Sequence, residues 1–333
     1  MGSNIPPKSG IRVPPEEMSR LVARLFEKAG AGRQDAELMA HLLVQTDLRG
    51  VFSHGTWQTT GYARLMLNGR VNPAPNIRVV RETPTTRVLD GDGGMGHIPC
   101  FRGAEWAIAT AKEFGTAAVT TRNHFHFGAA SKYARMALEH DCIGVAISSH
   151  RYGLSPDDLI KRVNATSPIS IAIPAGDQPP LVLDMGASML PWDEELYARM
   201  PFTYFKELGI GAINQVMGAV LAGIYMAQFQ PPQSPWESNQ GGFIAVYDVE
   251  CFMPVDEFKE EMDRFVGDAR RMKPFPGLER AELPGGLEWQ RERDYALHGI
   301  PIGPAHRQAL EEIAAELGVE TPFAEFEHTC FGT

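Results

Sequence analysis

Cysteine is scarce. The four in 333 residues, Cys100, Cys142, Cys251 and Cys330, never fall into a C-x-x-C spacing, so neither a disulfide framework nor a zinc ribbon is expected, and they read as free thiols of a reducing compartment, the cytoplasm. Positive charge is also in deficit. Lys and Arg number 31 against 41 Asp and Glu, and the net charge of -10 repels a long polyanion, which argues against nucleic acid as a partner. No membrane span is expected either. The most apolar stretch, 210–229, is interrupted by Asn214, Gln215 and several glycines and is expected to form a buried helix. The opening MGSNIPPKSG has neither the charged nor the apolar region of a secretory signal. What remains is a chain with 44% hydrophobic residues, enough to bury a sizeable core without staples.

Periodicity divides the chain. After Pro14 and Pro15, apolar residues Met18, Leu21, Val22, Leu25 and Phe26 recur at helical spacing up to Gly30. A second helix is predicted over 35–49, and a third from Ser53, as N-cap, to Asn68-Gly69. From Ile77 the pattern changes to short β-rich runs, IRVVRE, TTRVLD, AAVTTR, IGVAISS, ISIAIP and LVLDM, with helices over 101–114 and 129–140 between them. A strand GGFIAVYDVE precedes an amphipathic helix over 255–271, and a last helix runs from 305 to 317. Strands joined partly by helices and partly by short turns predict an α/β fold with a mixed sheet. The segment 230–242, rich in Pro, Gln, Ser and Gly, reads as a loop.

Residues 91–96, Gly-Asp-Gly-Gly-Met-Gly, match a dinucleotide-binding G-x-G-x-x-G between a strand and a helix. The next strand ends in Arg122 and Asn123 instead of the acid that would hold a ribose, and Asp90 and Asp92 flank the place of a pyrophosphate. A turn that needs glycine's positive φ accounts for the string better.

Three clusters carry chemistry. In DLRGVFSHGTWQTTGY, His54 is followed at intervals of four by Gln58 and Tyr62, which on a helix would share a face; an imidazole there suits acid/base work, although a capping or packing role is the commoner use. In RNHFHFGAASKY, His124 and His126 alternate at a strand end, and Gly128-Ala129-Ala130 opens a helix whose N–H groups suit an anion. The H-x-H pair finds no third ligand, so no metal is expected. In LVLDMGAS, Asp184 ends an apolar strand, where a carboxylate is costly unless paired.

In this order, DLRGVFSHG, Tyr62 with the following LNG, NHFHFG with Tyr133, CIGVAIS, ATSPISIAIP, LVLDM, FKELGIG, NQGGFIAVYD and LPGG with HGIPI resemble the type-2 malate/L-lactate dehydrogenases over about residues 12–320. That family includes ureidoglycolate and sulfolactate dehydrogenases, diketogulonate reductase and piperideine-2-carboxylate reductase. The resemblance implies a non-Rossmann, mixed and largely antiparallel sheet with flanking helices, in which a helical region 12–75 packs with 285–325 and a cofactor domain spans 76–284. It implies a homodimer that uses NAD or NADP to move hydride to or from a small 2-oxo or 2-hydroxy acid or a cyclic imine. The proton would pass through His54, with Asp184 as electrostatic partner, or through His126. Ser53, Gln58, Tyr62 and His150 would meet the substrate. Leu183, Asp184, Met185, Lys206, Gly285 and Gly286 would meet the cofactor.

Four departures from the family pattern fall near these ligands. Gln58 stands where an arginine commonly grips the substrate carboxylate, so the substrate is either uncharged there or held by another residue such as Arg49, Arg64 or Arg151. His150 replaces a small polar residue at a strand end. The stretch between Asp184 and Lys206 is short, and Glu207 follows the lysine. Pro284-Gly285-Gly286 replaces Pro-Gly-Glu. A hydride-transferring enzyme is therefore weighed against a redox-neutral isomerase or lyase on the same frame, using His54, His126 or His150, and against a non-catalytic binding protein.

Overall fold

The computed structural model describes residues 4–164 and 167–332; Ala165 and Thr166, at the start of ATSPISIAIP, lie outside the described residues. The chain divides into two compact units, Pro75–Pro284 and the described residues on either side of that segment.

The first unit opens with β1 (Ile11–Val13), α1 (Pro15–Lys28), α2 (Arg33–Leu48) and α3 (Thr59–Leu67). α1 starts on Pro15, whose missing N–H costs nothing in a first turn, and carries Glu16 and Glu17 where the helix dipole favours acids. Its buried stripe, Leu21, Leu25 and Phe26, packs on α2, which buries Met39 and Leu43.

The expected helix from Ser53 to Leu67 is broken. Residues Phe52–His54 and Thr56–Gln58 form separate 3-10 turns, and α3 begins only at Thr59. Gly55, at φ -92° and ψ -150°, interrupts the helical path. His54, Gln58 and Tyr62 consequently do not line one helical face, and Tyr62 is buried.

The second unit contains, in order, β2 (Arg78–Glu82), β3 (Thr86–Asp90), α4 (His97–Phe114), β4 (Thr116–His124), α5 (Ser131–Ala134), β5 (Cys142–His150), β6 (Pro168–Ile173), β7 (Leu181–Gly186), α6 (Glu194–Arg199), α7 (Pro201–Gln215), β8 (Gln240–Asp248) and α8 (Val255–Arg270). Among the described residues its sheet has seven strands in the order β2-β3-β4-β8-β5-β6-β7. Only β3 and β4 pair in parallel, joined by α4; every other neighbouring pair is antiparallel. The largely antiparallel, non-Rossmann sheet is thus present. Its middle strand, β8, buries Ile244, Ala245 and Val246, and α4 lays Ala107, Ile108 and Ala111 over Leu89, Val119 and Val246. Each of the larger ones, Leu89, Ile108, Val119, Ile244 and Val246, contributes on the order of 1.5–3 kcal/mol by leaving water.

Two further helical expectations change. The helix over 129–140 is four residues of α5 followed by a 3-10 segment, Arg135–His140, which ends at Asp141 with φ 57°. The stretch 210–229 is not a buried helix: α7 ends at Gln215, a π turn covers Val216–Val220, and Ile213, Val216, Val220 and Leu221 are 53–60% exposed. The buried side of this segment carries Gly211, Asn214 and Gly218 together with a small apolar cluster of Ala219, Ala222 and Ile224.

The chain then returns to the first unit with α9 (Gly286–His298), β9 (Ile300–Ile302) and α10 (Pro304–Leu317). β9 pairs antiparallel with β1, Ile11 opposite Ile302 and Val13 opposite Ile300, and this pairing joins the two ends of the chain. α10 buries Leu310 and Ile313 and packs on α1.

Candidate active site

In the first unit the chemistry gathers on the two 3-10 turns. The Ser53 hydroxyl is 2.8 Å from Nδ1 of His54, and both residues are partly accessible. Gln58 donates from Nε2 to the Ser53 carbonyl at 2.6 Å, so its amide braces the turn. Below lies a carboxylate that the sequence pattern did not single out. Asp47, in the last turn of α2, is fully buried, and its Oδ2 accepts the Thr56 N–H at 3.0 Å and the Thr56 hydroxyl. His306 of α10 reaches the same hydroxyl through Nε2 at 3.2 Å, with its ring edge-on to Trp57. Burial lowers the His306 pKa to about 4 and keeps it neutral. Two of the arginines considered as carboxylate holders are engaged here, Arg49 by Glu292 at 2.8 Å and Arg64 by Glu316 at 3.6 Å.

In the second unit the strand directions concentrate the candidates. β3, β4, β5 and β7 run the same way because β8 is antiparallel to β4 and β5, and β6 to β5 and β7. Their C-terminal residues, Asp90, His124, His150 and Gly186, therefore share one edge of the sheet.

At that edge the H-x-H pair separates into two roles. His124 is fully buried, with Nδ1 2.7 Å from the Phe125 carbonyl and Nε2 2.9 Å from the Thr121 hydroxyl. Nδ1 must donate to the carbonyl, so Nε2 accepts from the hydroxyl and both nitrogens are spent within the protein. Burial lowers its pKa to about 4, against the hydrogen bond to Phe125 and the charge of Asp90. His126 is half-buried, and its carbonyl accepts the Gly96 N–H at 3.1 Å.

The helix start that follows does hold an anion, and it is the protein's own. Ser131 at the head of α5 donates its N–H to Oδ2 of Asp184 at 3.2 Å. Asp184 has accessible surface yet is crowded by protein, and that desolvation raises its pKa despite the Ser131 hydrogen bonds and the nearby Arg135 and Lys132 charges. Lys132 is itself buried, with Nζ 3.2 Å from Nε2 of His97.

His150 is half-buried at the end of β5, 5.3 Å from the Tyr152 ring, with its pKa lowered by burial and by the Arg162 charge. Next to it Arg151 donates to the carbonyls of Ile224 at 2.8 Å, Phe229 at 3.4 Å and Ser238 at 3.4 Å, and makes no ion pair among the described residues.

The glycine string is packed by protein, with no space for a phosphate. A Cβ on Gly93, which has φ +74°, would lie 2.1 Å from the Trp236 ring.

A nicotinamide dinucleotide, which the resemblance implies, needs a cation for its phosphates and free backbone groups beside open space. β7, carrying Leu183, Asp184 and Met185, is the last strand of the sheet, and its Val182 N–H donates to the carbonyl of Pro284. Gly285 takes φ 95° at the N-terminus of α9. Nothing lies within 4 Å of a Cβ built on Gly186 or Gly209. Lys206 is exposed on α7 and makes no ion pair among the described residues. Glu207 does not crowd it. That acid turns inward, fully buried, to Lys161 Nζ at 2.6 Å, Asn164 Nδ2 at 2.9 Å and the Met189 N–H at 3.1 Å, which ties α7 to the chain leaving β7. The residues present fit such a group.

The sequence model described as malate/L-lactate dehydrogenase matches residues 13–199 and 192–311. The chain belongs to the malate/L-lactate dehydrogenase family. It is 31% identical to a malate dehydrogenase of Pyrococcus horikoshii, over 93% of this chain and 96% of that one, and 28% identical to an L-sulfolactate dehydrogenase of Methanocaldococcus jannaschii, over 92% and 97%. The solved structure of the Pyrococcus horikoshii malate dehydrogenase superposes with a TM-score of 0.83, covering 96% of this chain and 99% of that chain. The two family-matched stretches meet at 192–199, inside the segment where the sequence departs from the family pattern. That segment is α6 and its flanks, where Trp192, Tyr197 and Tyr204 stack within 5.5–5.7 Å of one another.

Proposed function

We propose that this protein is a nicotinamide-dependent oxidoreductase that transfers hydride between the coenzyme, NAD or NADP, and a small 2-oxo or 2-hydroxy acid or cyclic imine. The observation that carries this reading is the near-full-length likeness to named dehydrogenases of one family, with Ser53, His54, His126, Asp184 and Lys206 all present. When bound, the nicotinamide ring accepts or supplies the hydride at the substrate carbon. A histidine takes the hydroxyl proton on oxidation and returns it on reduction. Two candidates stand for that role: His54, whose ring is oriented by the Ser53 hydroxyl, and His126 at the sheet edge.

Lys206 and the backbone of Leu183, Asp184 and Met185 hold the coenzyme. Arg151 takes over the carboxylate grip that Gln58 does not provide. Its guanidinium is fixed by three carbonyls and carries a charge that no carboxylate among the described residues neutralises. The protein works as a homodimer, a reading supported by the exposed apolar Ile213, Val216, Val220 and Leu221.

The test is titration with NADH and NADPH, followed by nicotinamide fluorescence and thermal shift, then a screen of 2-oxo acids and cyclic imines. Saturable binding at micromolar concentration, with turnover of one acid or imine, supports the proposal and identifies the coenzyme. No thermal shift with either coenzyme at millimolar concentration sinks it and directs attention to redox-neutral isomerase or lyase chemistry at His54, His126 and His150.

A further inference from the structure

We infer that Asp47 is a positioning residue for His54, acting through Thr56. This rests on the reading in which His54 passes the proton.

A fully buried carboxylate is costly to hold away from water and persists where its hydrogen bonds are satisfied. Two hydrogen bonds of Asp47 come from one residue. Oδ2 accepts both the N–H and the hydroxyl of Thr56, two residues beyond His54. Oδ1 occupies the volume where residue 55 would carry a side chain, since a Cβ on Gly55 would lie 1.7 Å from it. The acid thus grips the Gly55–Thr56 peptide, one residue beyond the histidine.

The proton inventory is self-consistent. Thr56 gives its hydroxyl proton to the acid, so its oxygen accepts from His306, which donates from Nε2. A neutral His306 fulfils this, and burial keeps it neutral.

On the other side of the turn, Gln58 holds the Ser53 carbonyl and Ser53 holds His54. These residues lie in two short 3-10 turns separated by Gly55, each closed by its own backbone bonds, Gly55 N–H to the Phe52 carbonyl at 3.3 Å and Gln58 N–H to the Gly55 carbonyl at 3.0 Å, and no continuous helix runs through them. The bonds from Thr56 to Asp47 tie these turns to the end of α2 and so help to set where the imidazole sits. A misplacement of about 1 Å at a reacting group lowers turnover by about 100-fold.

The experiment uses the full chain with Thr56→Val, Thr56→Ser and Asp47→Asn, each alone and with His54→Ala. It measures kcat, KM and the pH profile of kcat/KM for the fastest acid or imine substrate, with thermal midpoints as the folding control. Thr56→Val is expected to lower kcat by about 100-fold with little change in KM. Thr56→Ser is expected to restore most of it, and neither is expected to matter once His54 is alanine. An equal loss with and without His54 overturns the inference. NMR of the labelled His54 imidazole reads the same claim without turnover: its pKa and tautomer signals move in Thr56→Val and hold in Thr56→Ser. An unmoved signal overturns the positioning role. A moved signal with full kcat in His54→Ala upholds it and refutes His54 as the proton carrier.

Discussion

Gly55 faces Asp47 at a distance that admits no side chain: a Cβ there would lie 1.7 Å from Oδ1 of the acid and 2.5 Å from its carboxyl carbon. Both partners are buried and the acid is anchored by Thr56, so neither can move aside cheaply. Gly55→Ala is expected to destabilise the fold by about 3 kcal/mol, the upper part of the range for overpacking. Urea unfolding measures it, and a loss below about 0.5 kcal/mol, as at an ordinary surface position, contradicts the packing described.

The Lys161–Glu207 pair allows a second test. Glu207 is fully buried and Lys161 is 16% exposed. Burial favours the neutral carboxyl, but hydrogen bonds from Lys161 and Asn164 and the Lys161 charge outweigh it and hold the pKa below its ordinary 4.5. Lys161→Met, which leaves a buried charge uncompensated, is expected to cost about 3–5 kcal/mol. Because the folded pKa is depressed, the stabilisation is complete above pH 4.5 and is lost as pH falls through the folded value. Glu207→Gln is expected to flatten the acid limb of stability in that window, and an unchanged limb by urea unfolding below pH 4.5 refutes the ionised pair.

Two buried histidines act at higher pH. His124 and His306 are each held near pKa 4 from an ordinary 6.5. As pH falls below 6.5 the unfolded chain binds these protons first, so stability is full above 6.5 and declines toward pH 4, by about 3 kcal/mol per histidine. His124→Gln is expected to remove its share of that slope. Chemical unfolding at pH 7, 5.5 and 4.5 checks it, and parallel slopes for both proteins mean that His124 is already charged in the folded state.

The apolar face at Val220 bears on assembly. Val220 and Leu221 are 55% and 57% exposed, with Ile213 and Val216 on the same segment, and a charge placed in the middle of a dimer contact opposes association. Val220→Asp is expected to convert the proposed homodimer to a monomer in size-exclusion chromatography with light scattering. A monomeric unmodified protein refutes the assembly itself.

Much of this architecture is legible in local pattern. The strands at ISIAIP, LVLDM and GGFIAVYDVE and the helices ending at Gly30 and Leu317 follow from runs and caps of a few residues. Where the spacing predicts a helix through His54 the chain forms two 3-10 turns, because the pattern of side chains does not register the backbone break at Gly55 beside the buried Asp47. The stretch 210–229 departs from the expected buried helix for a related reason: apolar composition measures a preference to leave water and does not say whether the chain's own residues provide the cover. Asp47 and His306 were not singled out, since they meet across 259 positions of sequence and only folding makes them neighbours through Thr56.

Composition, periodicity and ordered motifs were enough for the family, the mixed sheet and the identity of the candidate histidines, because those properties are written in residues close together along the chain. Which histidine is spent on a carbonyl and a hydroxyl, which carboxylate meets a helix start, and which arginine keeps an unmatched charge depend on contacts between distant segments. Burial and hydrogen bonding at those contacts decide whether a titratable group is structural or chemically available, and that distinction exists only once the chain has folded.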